Sequence, residues 1–275
     1  MSKDELNKKS KQITELQKII NDLNNKLRDS ESFKSNFISN IMNEFYNPFT
    51  SILSMADIIT TLSDTNLHKA IPMAKIIYRE AAQLDFHLQN IFAAASIEAG
   101  LEEPEISRVV INKIYNSVVE KFQFDINNKQ LVLSTNLSSN DELNFTTDAK
   151  KLSLILLNLI SNSIKYSPDN TKITCNFEII EDYLNINISD EGSGISKEIM
   201  EIIFNRFNRT NQTINSVTGG TGLGLSVVNA LTEILNGNIK ISSEKGTTIL
   251  LTIPEINIDS DNFDDDTIIF DEELF

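Results

Sequence analysis

The chain has 275 residues, 40% of them hydrophobic and 23% charged, which is typical of a soluble globular protein with room for two domains. Its single cysteine, Cys175, excludes an intrachain disulfide framework and a cysteine-based zinc cluster. The net charge of −15 argues against nucleic acid as a partner. The sequence shows neither a bilayer-spanning apolar stretch nor a signal peptide, so we expect a cytoplasmic protein with no membrane span in this chain.

Apolar residues near the start of the chain recur at spacings of three, four and seven, which is the seam pattern of a coiled coil. These residues are Leu6, Ile13, Leu16, Ile20, Leu23 and Leu27. The phase slips after Leu27, as at a stutter, and resumes from Phe33. Because no partner helix is near in the sequence, we interpret 1–32 as a coiled coil between two chains. A plain amphipathic helix packed on its own domain is the alternative.

Two long amphipathic helices follow and define a second region over 33–100. The first continues through Pro48 to about Ile59, and the second spans about Ile71 to Glu98, with Gly100 after its end. The polar residues 60–69 between them are typical of a turn. Such a pair makes a helical hairpin, and two hairpins from two chains make a dimeric four-helix bundle.

After Gly100 the pattern alternates between strands and helices, which predicts an α/β sandwich over 101–254 with helices on one face of a mixed sheet. Strands are expected at 108–111, 130–134, 172–179, 183–190, 238–242 and 247–253, and helices at 112–122, 148–166 and 226–235. The helix at 148–166 is strongly apolar and should be central to the core. Short helical pieces are expected at 195–218.

The final segment, 255–275, carries nine acidic residues and no basic one, which is typical of a disordered, solvated tail. An alternative hypothesis is that the apolar residues near its end form a short docking segment.

Four motifs in the carboxy-terminal domain stand in the order expected of one nucleotide pocket, although each alone has an ordinary structural explanation. The first is N-L-I-S-N-S-I-K-Y over Asn158–Tyr166, in which Asn158 and Asn162 are four residues apart and share a helix face. A buried amide needs a polar partner, and a magnesium ion and a phosphate would supply one.

The other three motifs follow along the chain. Asp190–Ile195 places a carboxylate at a strand end, where it can accept a hydrogen bond from an adenine amino group while glycines permit close approach. Ile203–Phe207 supplies apolar anchors in a segment that we expect to be mobile. Val217–Leu225 reads V-T-G-G-T-G-L-G-L before a helix, where glycines bring backbone N–H groups close to a phosphate.

Together these motifs resemble the N, G1, F and G2 boxes of the histidine-kinase ATP-binding domain, of the GHKL superfamily shared with gyrase, heat-shock 90 and mismatch-repair ATPases. The resemblance covers about 33 to 254. It implies ATP and Mg²⁺ as cofactors, with Asn162 as the metal ligand, Asp190 as the adenine contact and a lid from 194 to 220. The residues that match nucleotide-binding positions are Asn158, Asn162, Lys165, Tyr166, Asp190, Gly192, Gly194, Ile195, Phe207, Gly220, Thr221, Gly222, Leu223, Gly224, Leu225 and Thr247.

The residue one turn before Asn162 separates two branches of this superfamily. Hydrolytic members carry a glutamate there as the general base for water. Asn158 fills that place in this chain, and an amide cannot take the proton. The resemblance therefore favours the kinase branch.

Phe37–Phe49, which reads F-I-S-N-I-M-N-E-F-Y-N-P-F, resembles the H-box of the same family with Asn43 at the phosphoacceptor position. An amide nitrogen has no lone pair free to attack a γ-phosphate, so we expect no autophosphorylation at Asn43. Glu44 and Asn47 match the family's E-x-x-T/N pattern, in which the amide or hydroxyl orients water against a response regulator's aspartyl-phosphate. Two solvated surface positions are the alternative.

Three functions follow from these residues. The first is a dimeric histidine-kinase-family protein that binds Mg-ATP without a phosphoacceptor and acts on a response-regulator receiver domain, as a phosphatase for example, or pairs with an active histidine kinase. The second is an active kinase that phosphorylates a histidine on another chain, or else His68 or His87, which we otherwise interpret as structural. The third is a dimeric scaffold stabilised by nucleotide.

Overall fold

The computed structural model of the chain describes residues 42–138, 141–195, 223–243 and 245–256, with three isolated helical positions at 17, 20 and 24. Apart from those three positions, the coiled coil predicted at 1–32 lies outside the described residues. So do residues 33–41 of the first hairpin helix, the short helical pieces predicted at 195–218 (except residue 195 itself), and the tail after residue 256.

The amino-terminal part of the described chain is a pair of helices. Helix α1 is described over 42–60, a short 3-10 helix covers Asp64–Lys69, and α2 follows over Ala70–Ala99. Gly100 ends α2 as predicted, with a φ of 67° and its N–H donating to the carbonyl of Ile97. The polar connection was predicted as a turn, and its second half is the 3-10 helix.

The carboxy-terminal domain contains a mixed five-stranded sheet and a separate pair of strands. The sheet strands are β2 (Val132–Thr135), β4 (Lys172–Ile180), β5 (Tyr183–Asp190), β6 (Asn238–Ser242) and β7 (Thr247–Pro254). Their order is β2-β4-β5-β7-β6, with β2 parallel to β4 and the other pairs antiparallel. Strands β1 (Ser107–Val110) and β3 (Asn144–Thr147) form the separate antiparallel pair.

Four helices complete this domain: α3 (Ile111–Lys121), α4 (Gln123–Asn128), α5 (Ala149–Tyr166) and α6 (Gly224–Ile234). Helix α5 lies at the centre of the core, as predicted, and Asp148 caps it by accepting a hydrogen bond from the N–H of Lys151 at 2.9 Å. Alternate residues of β5 and β7 are buried because successive side chains of a strand point to opposite faces. The core therefore lies between one face of the sheet and the helices.

Sequence periodicity missed two short elements and misplaced the start of a third. Strand β3 has four residues and is held by pairing with β1 and by burial of Phe145, while α4 has six residues and one buried side chain, Ile126. Elements of this length show too few repeats for a period to be recognised. The strand predicted from residue 130 begins at Val132, because Gln130 has a φ of 53° and belongs to the preceding turn.

The first two residues of the acidic segment are joined to the domain. The N–H of Glu255 donates to the carbonyl of Asp182, and its Oε1 accepts from the N–H of Thr146 at 3.1 Å. The N–H of Ile256 donates to the carbonyl of Thr146. These bonds fasten the end of β7 to β3.

Over the part of the chain that the structure describes, no helix combines the length and the apolar character needed to cross a bilayer.

Candidate nucleotide-binding site

Three of the four predicted motifs meet along the carboxy-terminal half of α5. A Cβ placed on Gly192 would lie 2.8 Å from the carbonyl oxygen of Tyr166, so the turn after β5 packs directly against the end of α5. A Cβ on Gly224 would lie 2.5 Å from Asn158 Oδ1, so the start of α6 packs against the same helix. A side chain at either position would therefore force its neighbour to shift. The residues brought together along this half of the helix are Asn158, Asn162, Lys165, Tyr166, Asp190, Gly192, Gly194, Ile195, Leu223, Gly224 and Leu225.

Four predicted site residues lie outside the described residues, namely Phe207, Gly220, Thr221 and Gly222. Of the hydrophobic positions that are described, Leu223 is buried and Leu225 packs against the core.

Asp190 is a buried carboxylate, 8% exposed, whose position is fixed by the backbone around it. Its Oδ1 accepts from the N–H of Gly192 at 2.9 Å and from the N–H of Thr247 at 3.2 Å. Its Oδ2 lies 3.4 Å from Ser163 Oγ. Burial raises the pKa of Asp190, and these hydrogen bonds oppose the rise only in part. Since Oδ2 keeps spare acceptor capacity, the group suits an amino donor such as that of adenine.

The turn between β6 and β7 supports the same carboxylate. Gly246 has a φ of +81°, and a Cβ there would overlap the carbonyl oxygen of Asp190. Ser243 Oγ donates to the carbonyl of Gly246 at 2.9 Å and accepts from the N–H of Ile195 at 2.7 Å. The turn and the segment after β5 are thereby joined through one hydroxyl.

Sequence reasoning missed two of these serines. Ser163 directly follows the asparagine predicted as the metal ligand and lies within an otherwise apolar helix, so its position carried a signal. No sequence pattern pointed to Ser243, because the residue it contacts, Ile195, is 48 positions away in the chain.

The carboxyl end of α5 carries the two predicted nucleotide-lining residues, and both are exposed. Lys165 Nζ lies 5.4 Å from the centroid of the Tyr166 ring. At the same end of the helix, Lys129 Nζ donates to the carbonyl oxygens of Ile164, Lys165 and Ser167 at 2.8, 2.9 and 3.0 Å. A cation at a helix carboxyl terminus satisfies the last carbonyls and suits the helix dipole. Lys129, which the sequence did not single out, therefore holds the backbone at the carboxyl end of α5 in place.

The structure changes the interpretation of Asn158. Its side chain is 3% exposed, and its Nδ2 donates to Asn90 Oδ1 on α2 at 2.7 Å and to the carbonyl of Leu154 at 2.9 Å. We predicted that a magnesium ion and a phosphate would be the polar partners of this buried amide. For the amide nitrogen this prediction is wrong, because its partner is Asn90 of the hairpin. Asn162, one turn later, is half-buried.

The donor set fits a magnesium–nucleotide complex better than a free metal ion. In the described ranges, no group of three His, Cys, Asp or Glu side chains could hold a metal. Magnesium is commonly held by one or two protein oxygens together with substrate phosphates. Asn162 lies beside the start of α6, where a helix amino terminus favours anions, so its amide oxygen could complete such a site.

The H-box residues of α1 have unlike surroundings. Asn43 and Asn47 are exposed, whereas the Glu44 side chain is 19% exposed and its Oε2 lies 3.4 Å from His87 Nδ1 on α2. Burial lowers the pKa of His87, and the positive charge of Lys165 lowers it further. At neutral pH the imidazole beside Glu44 is therefore uncharged. His68, the other histidine, is exposed in the 3-10 helix.

Comparison with known proteins identifies the domain that carries these motifs. Residues 147–257 match the family described as histidine kinase-, DNA gyrase B-, and HSP90-like ATPase. The histidine protein kinase SaeS of Staphylococcus aureus strain USA300 is 27% identical over 240 residues, which cover 86% of this chain and 68% of that protein. Residues 147–257 therefore form a domain of this ATPase family, and the chain is similar to histidine kinases over most of its length.

Solved structures of histidine kinases share its fold. AdeS of Acinetobacter baumannii aligns with a TM-score of 0.53 at 20% identity, over 78% of this chain and 98% of AdeS. Full-length ShkA, solved in complex with AMPPNP, aligns with a TM-score of 0.53 at 18% identity, over 83% of this chain and 46% of ShkA. ThkA, solved with the response regulator protein TrrA, aligns with a TM-score of 0.50 at 21% identity, over 83% of this chain and 64% of ThkA.

These structural likenesses concern the fold. They confirm the predicted fold class, a helical amino-terminal region followed by an α/β ATP-binding domain of the histidine-kinase type.

Proposed function

We propose that this histidine kinase family member binds Mg-ATP, lacks the phosphoacceptor of the family, and acts in two-component signalling on a response-regulator receiver domain or on a partner kinase. The observation that carries the proposal is the exposed amide of Asn43 on α1, in a chain that still assembles the motifs of the nucleotide site. An amide in this place has no nucleophilic lone pair.

The nucleotide part of the proposal assigns one role to each end of the site. Asp190 accepts from the adenine amino group, and Asn162 supplies an amide oxygen to Mg²⁺ that the nucleotide phosphates also bind. The start of α6 offers backbone N–H groups to the phosphates. ShkA, whose fold is similar, was solved with AMPPNP.

The proposed assembly is a homodimer, or a heterodimer with an active histidine kinase, formed through the hairpin. Four apolar residues of α1, spaced by four, three and four, are 56–69% exposed: Met42, Tyr46, Phe49 and Leu53. Three of α2, spaced by multiples of seven, are 66–77% exposed: Ile71, Tyr78 and Phe92. Apolar stripes of this spacing are typical of a face that a second hairpin covers in a four-helix bundle.

The proposed action on a response regulator uses Asn47. Its amide is exposed one turn after Asn43 and is therefore open to a docked receiver domain, where it would orient water against an aspartyl-phosphate. ThkA was solved with a response regulator protein. Asn47→Ala should abolish loss of phosphate from a phosphorylated regulator while leaving Mg-ATP binding unchanged.

The deciding experiment is incubation of the pure protein with Mg-ATP labelled on the γ-phosphate, after nucleotide binding has been measured by calorimetry. We expect bound nucleotide and no label on the protein. Acid-labile, base-stable label would contradict the proposal, because it reports a phosphorylated histidine. Absence of nucleotide binding would also contradict it.

One contact favours a second candidate function, an active kinase that phosphorylates His87. Glu44 Oε2 faces His87 Nδ1 at 3.4 Å, and His87 Nε2 has no hydrogen-bond partner among the described residues. A neutral imidazole beside a base is the usual arrangement of an activated nucleophile. In this reaction the Nε2 lone pair attacks the γ-phosphorus, the bond to the β–γ bridging oxygen breaks, ADP leaves, and the Nδ1 proton passes to Glu44.

His68 provides a matched control for this alternative. If His87 is the acceptor, His87→Gln removes the acid-labile label and His68→Gln, at an exposed site, retains it. If neither the natural chain nor these variants take label, the second candidate is wrong and the first is supported.

A further inference from the structure

One buried contact crosses from the hairpin to the nucleotide site, between Asn90 on α2 and Asn158 on α5. The nitrogen of Asn158 donates to Asn90 Oδ1 and to the carbonyl of Leu154, and the nitrogen of Asn90 donates to the carbonyl of Phe86 at 2.9 Å. Asn90 is 4% exposed and Asn158 is 3% exposed. Backbone carbonyls only accept hydrogen bonds, so Leu154 and Phe86 each fix which end of the neighbouring amide is the nitrogen.

The amide oxygen of Asn158 consequently faces away from α2 and towards the start of α6. A Cβ built on Gly224 would lie 2.5 Å from this oxygen and 3.8 Å from Asn162 Nδ2. The oxygen therefore stands beside the predicted metal ligand, at a helix amino terminus that suits phosphate. Magnesium and its bound waters seek oxygen ligands, so an oxygen directed to this position favours a metal–phosphate complex and a nitrogen would oppose it.

We propose that Asn90 is a positioning residue for the magnesium–nucleotide site: it holds the oxygen of Asn158 towards the metal and phosphates. The inference rests on the proposed binding of Mg-ATP and deepens it, because it makes one residue of the hairpin part of the nucleotide site. Asn90 itself touches no nucleotide. It acts through Asn158.

Other contacts hold α2 on the domain without involving the asparagine pair. The rings of Phe86 and Phe122 meet edge to face with centroids 6.4 Å apart, and the Arg79 guanidinium lies 4.8 Å from the centroid of the Phe124 ring. Asn90 is therefore not required to keep α2 in place. Removing its side chain should leave the Asn158 amide held only by the carbonyl of Leu154, and therefore less firmly oriented, while the helix remains packed.

Binding and packing are linked by reciprocity. If packing of α2 strengthens Mg-ATP binding by some factor, Mg-ATP strengthens the packing of α2 by the same factor. Nucleotide binding would thus stabilise the packing of α2 on the domain through the hydrogen bond between Asn158 and Asn90. The expected factor is about five, the usual net value of one hydrogen bond.

The test is the affinity of Asn90→Ser for two nucleotides, Mg-ATP and ADP in excess EDTA, measured by calorimetry on the full chain. A serine hydroxyl can still bond to the carbonyl of Phe86 but is too short to meet Asn158. We expect Mg-ATP binding to weaken about fivefold and metal-free ADP binding to stay unchanged. Gln89→Ser is the matched control, since Gln89 pairs with Asp85 on the surface of the same helix, and it should bind both nucleotides normally.

A double-mutant cycle separates positioning from a general structural effect. In an Asn158→Ala background, Asn90→Ser should cause no further loss of Mg-ATP affinity, because the residue through which it acts is gone. Additive losses, or equal losses for Mg-ATP and metal-free ADP, would overturn the inference. If circular dichroism shows that Asn90→Ser is unfolded, Asn90→Ala replaces it under the same criteria.

The two proposals fail in different ways. A natural chain that does not bind Mg-ATP contradicts the proposed function and the inference with it. A natural chain that binds Mg-ATP, with Asn90→Ser binding equally well, overturns the inference alone.

Discussion

At the end of the candidate site that we propose for adenine, here called the adenine end, Asp190 takes its hydrogen bonds from Gly192, Thr247 and Ser163, all within the carboxy-terminal domain. At the end that we propose for the phosphates, here called the phosphate end, the amide nitrogen of Asn158 donates to Asn90 on α2 of the hairpin. The adenine end is therefore shaped by the folding of one domain, and the phosphate end by the contact between two regions. This difference predicts that recognition of the base is constant whereas binding of the metal and phosphates responds to the hairpin.

The largest expected effect is at the adenine end, from Gly246→Ala. A Cβ there would overlap the carbonyl oxygen of Asp190, and φ is +81°. Left-handed strain and overpacking together should lower the free energy of unfolding by about 3 kcal/mol. Urea denaturation monitored by circular dichroism measures this, and Gly100→Ala, at a positive φ with open space around it, isolates the cost of the backbone conformation. Equal effects of the two changes would mean that the end of β5 is not tightly enclosed.

Gly224→Ala probes the phosphate end. The added methyl would lie 2.5 Å from Asn158 Oδ1, so this amide must shift, at a cost of about 2 kcal/mol by overpacking. We expect Mg-ATP binding to be lost while the domain stays folded, as measured by calorimetry and circular dichroism. Combined with Gly222→Ala, the change also tests the scaffold hypothesis, since a pure scaffold would keep its effect on a response regulator after nucleotide binding is lost.

The pH dependence of nucleotide affinity should depend on the adenine end. Burial raises the pKa of Asp190, and only the ionised carboxylate accepts fully from an adenine amino group. Affinity is therefore complete above this raised pKa and falls, by about tenfold per unit once the group is protonated, as pH decreases through it. Titration of Mg-ATP between pH 7 and pH 4 measures the decline.

Asp190→Asn is the reference for that titration, because it removes the titrating group while keeping the shape. The affinity of this variant for Mg-ATP should be low at every pH, and it should not fall further as the pH decreases through the pKa of Asp190. The same decline in the variant would assign the pH effect to another group, the nucleotide included.

The smallest expected effect is from Lys129→Ala, which removes the cation from three carbonyls at the end of α5. We expect a loss of about 1 kcal/mol in the free energy of unfolding. We also expect a small loss of affinity for both Mg-ATP and metal-free ADP, since the carboxyl end of α5 carries Lys165 and Tyr166, which are predicted to line the nucleotide. Lys150→Ala, whose ion pair with Glu105 is largely exposed, should change neither quantity measurably. If only the affinity for Mg-ATP fell, the carboxyl end of α5 would contribute to metal and phosphate binding alone.

The sequence predicted the framework of the site because its signals are local. The apolar pattern of α5, the alternation of β4 and β5, and the order of the glycine motifs each depend on residues close in the chain. These patterns were sufficient to predict the fold class and to indicate that Asn162, Asp190 and Gly224 belong to one site.

The contacts that orient the site could not be predicted in this way. Asn90 meets Asn158 across 68 positions, and Ser243 meets Ile195 across 48. A single polar residue on an amphipathic helix gives no period and no spacing, and its partner is known only when two surfaces are packed together. Glu44 illustrates the same limit, since its neighbour His87 belongs to the other helix of the hairpin.

The hydrogen bonds of Glu255 and Ile256 determine where the chain leaves the sheet. Strand β7 runs from Thr247, beside Asp190, to Pro254, so its last residue lies about 23 Å from its first at the usual rise per residue. A fluorophore attached at Ile256 would therefore start far from Asp190, the proposed contact of the adenine base. Labelling at this position should consequently leave the nucleotide affinity unchanged, which makes the end of β7 a practical choice for a binding sensor.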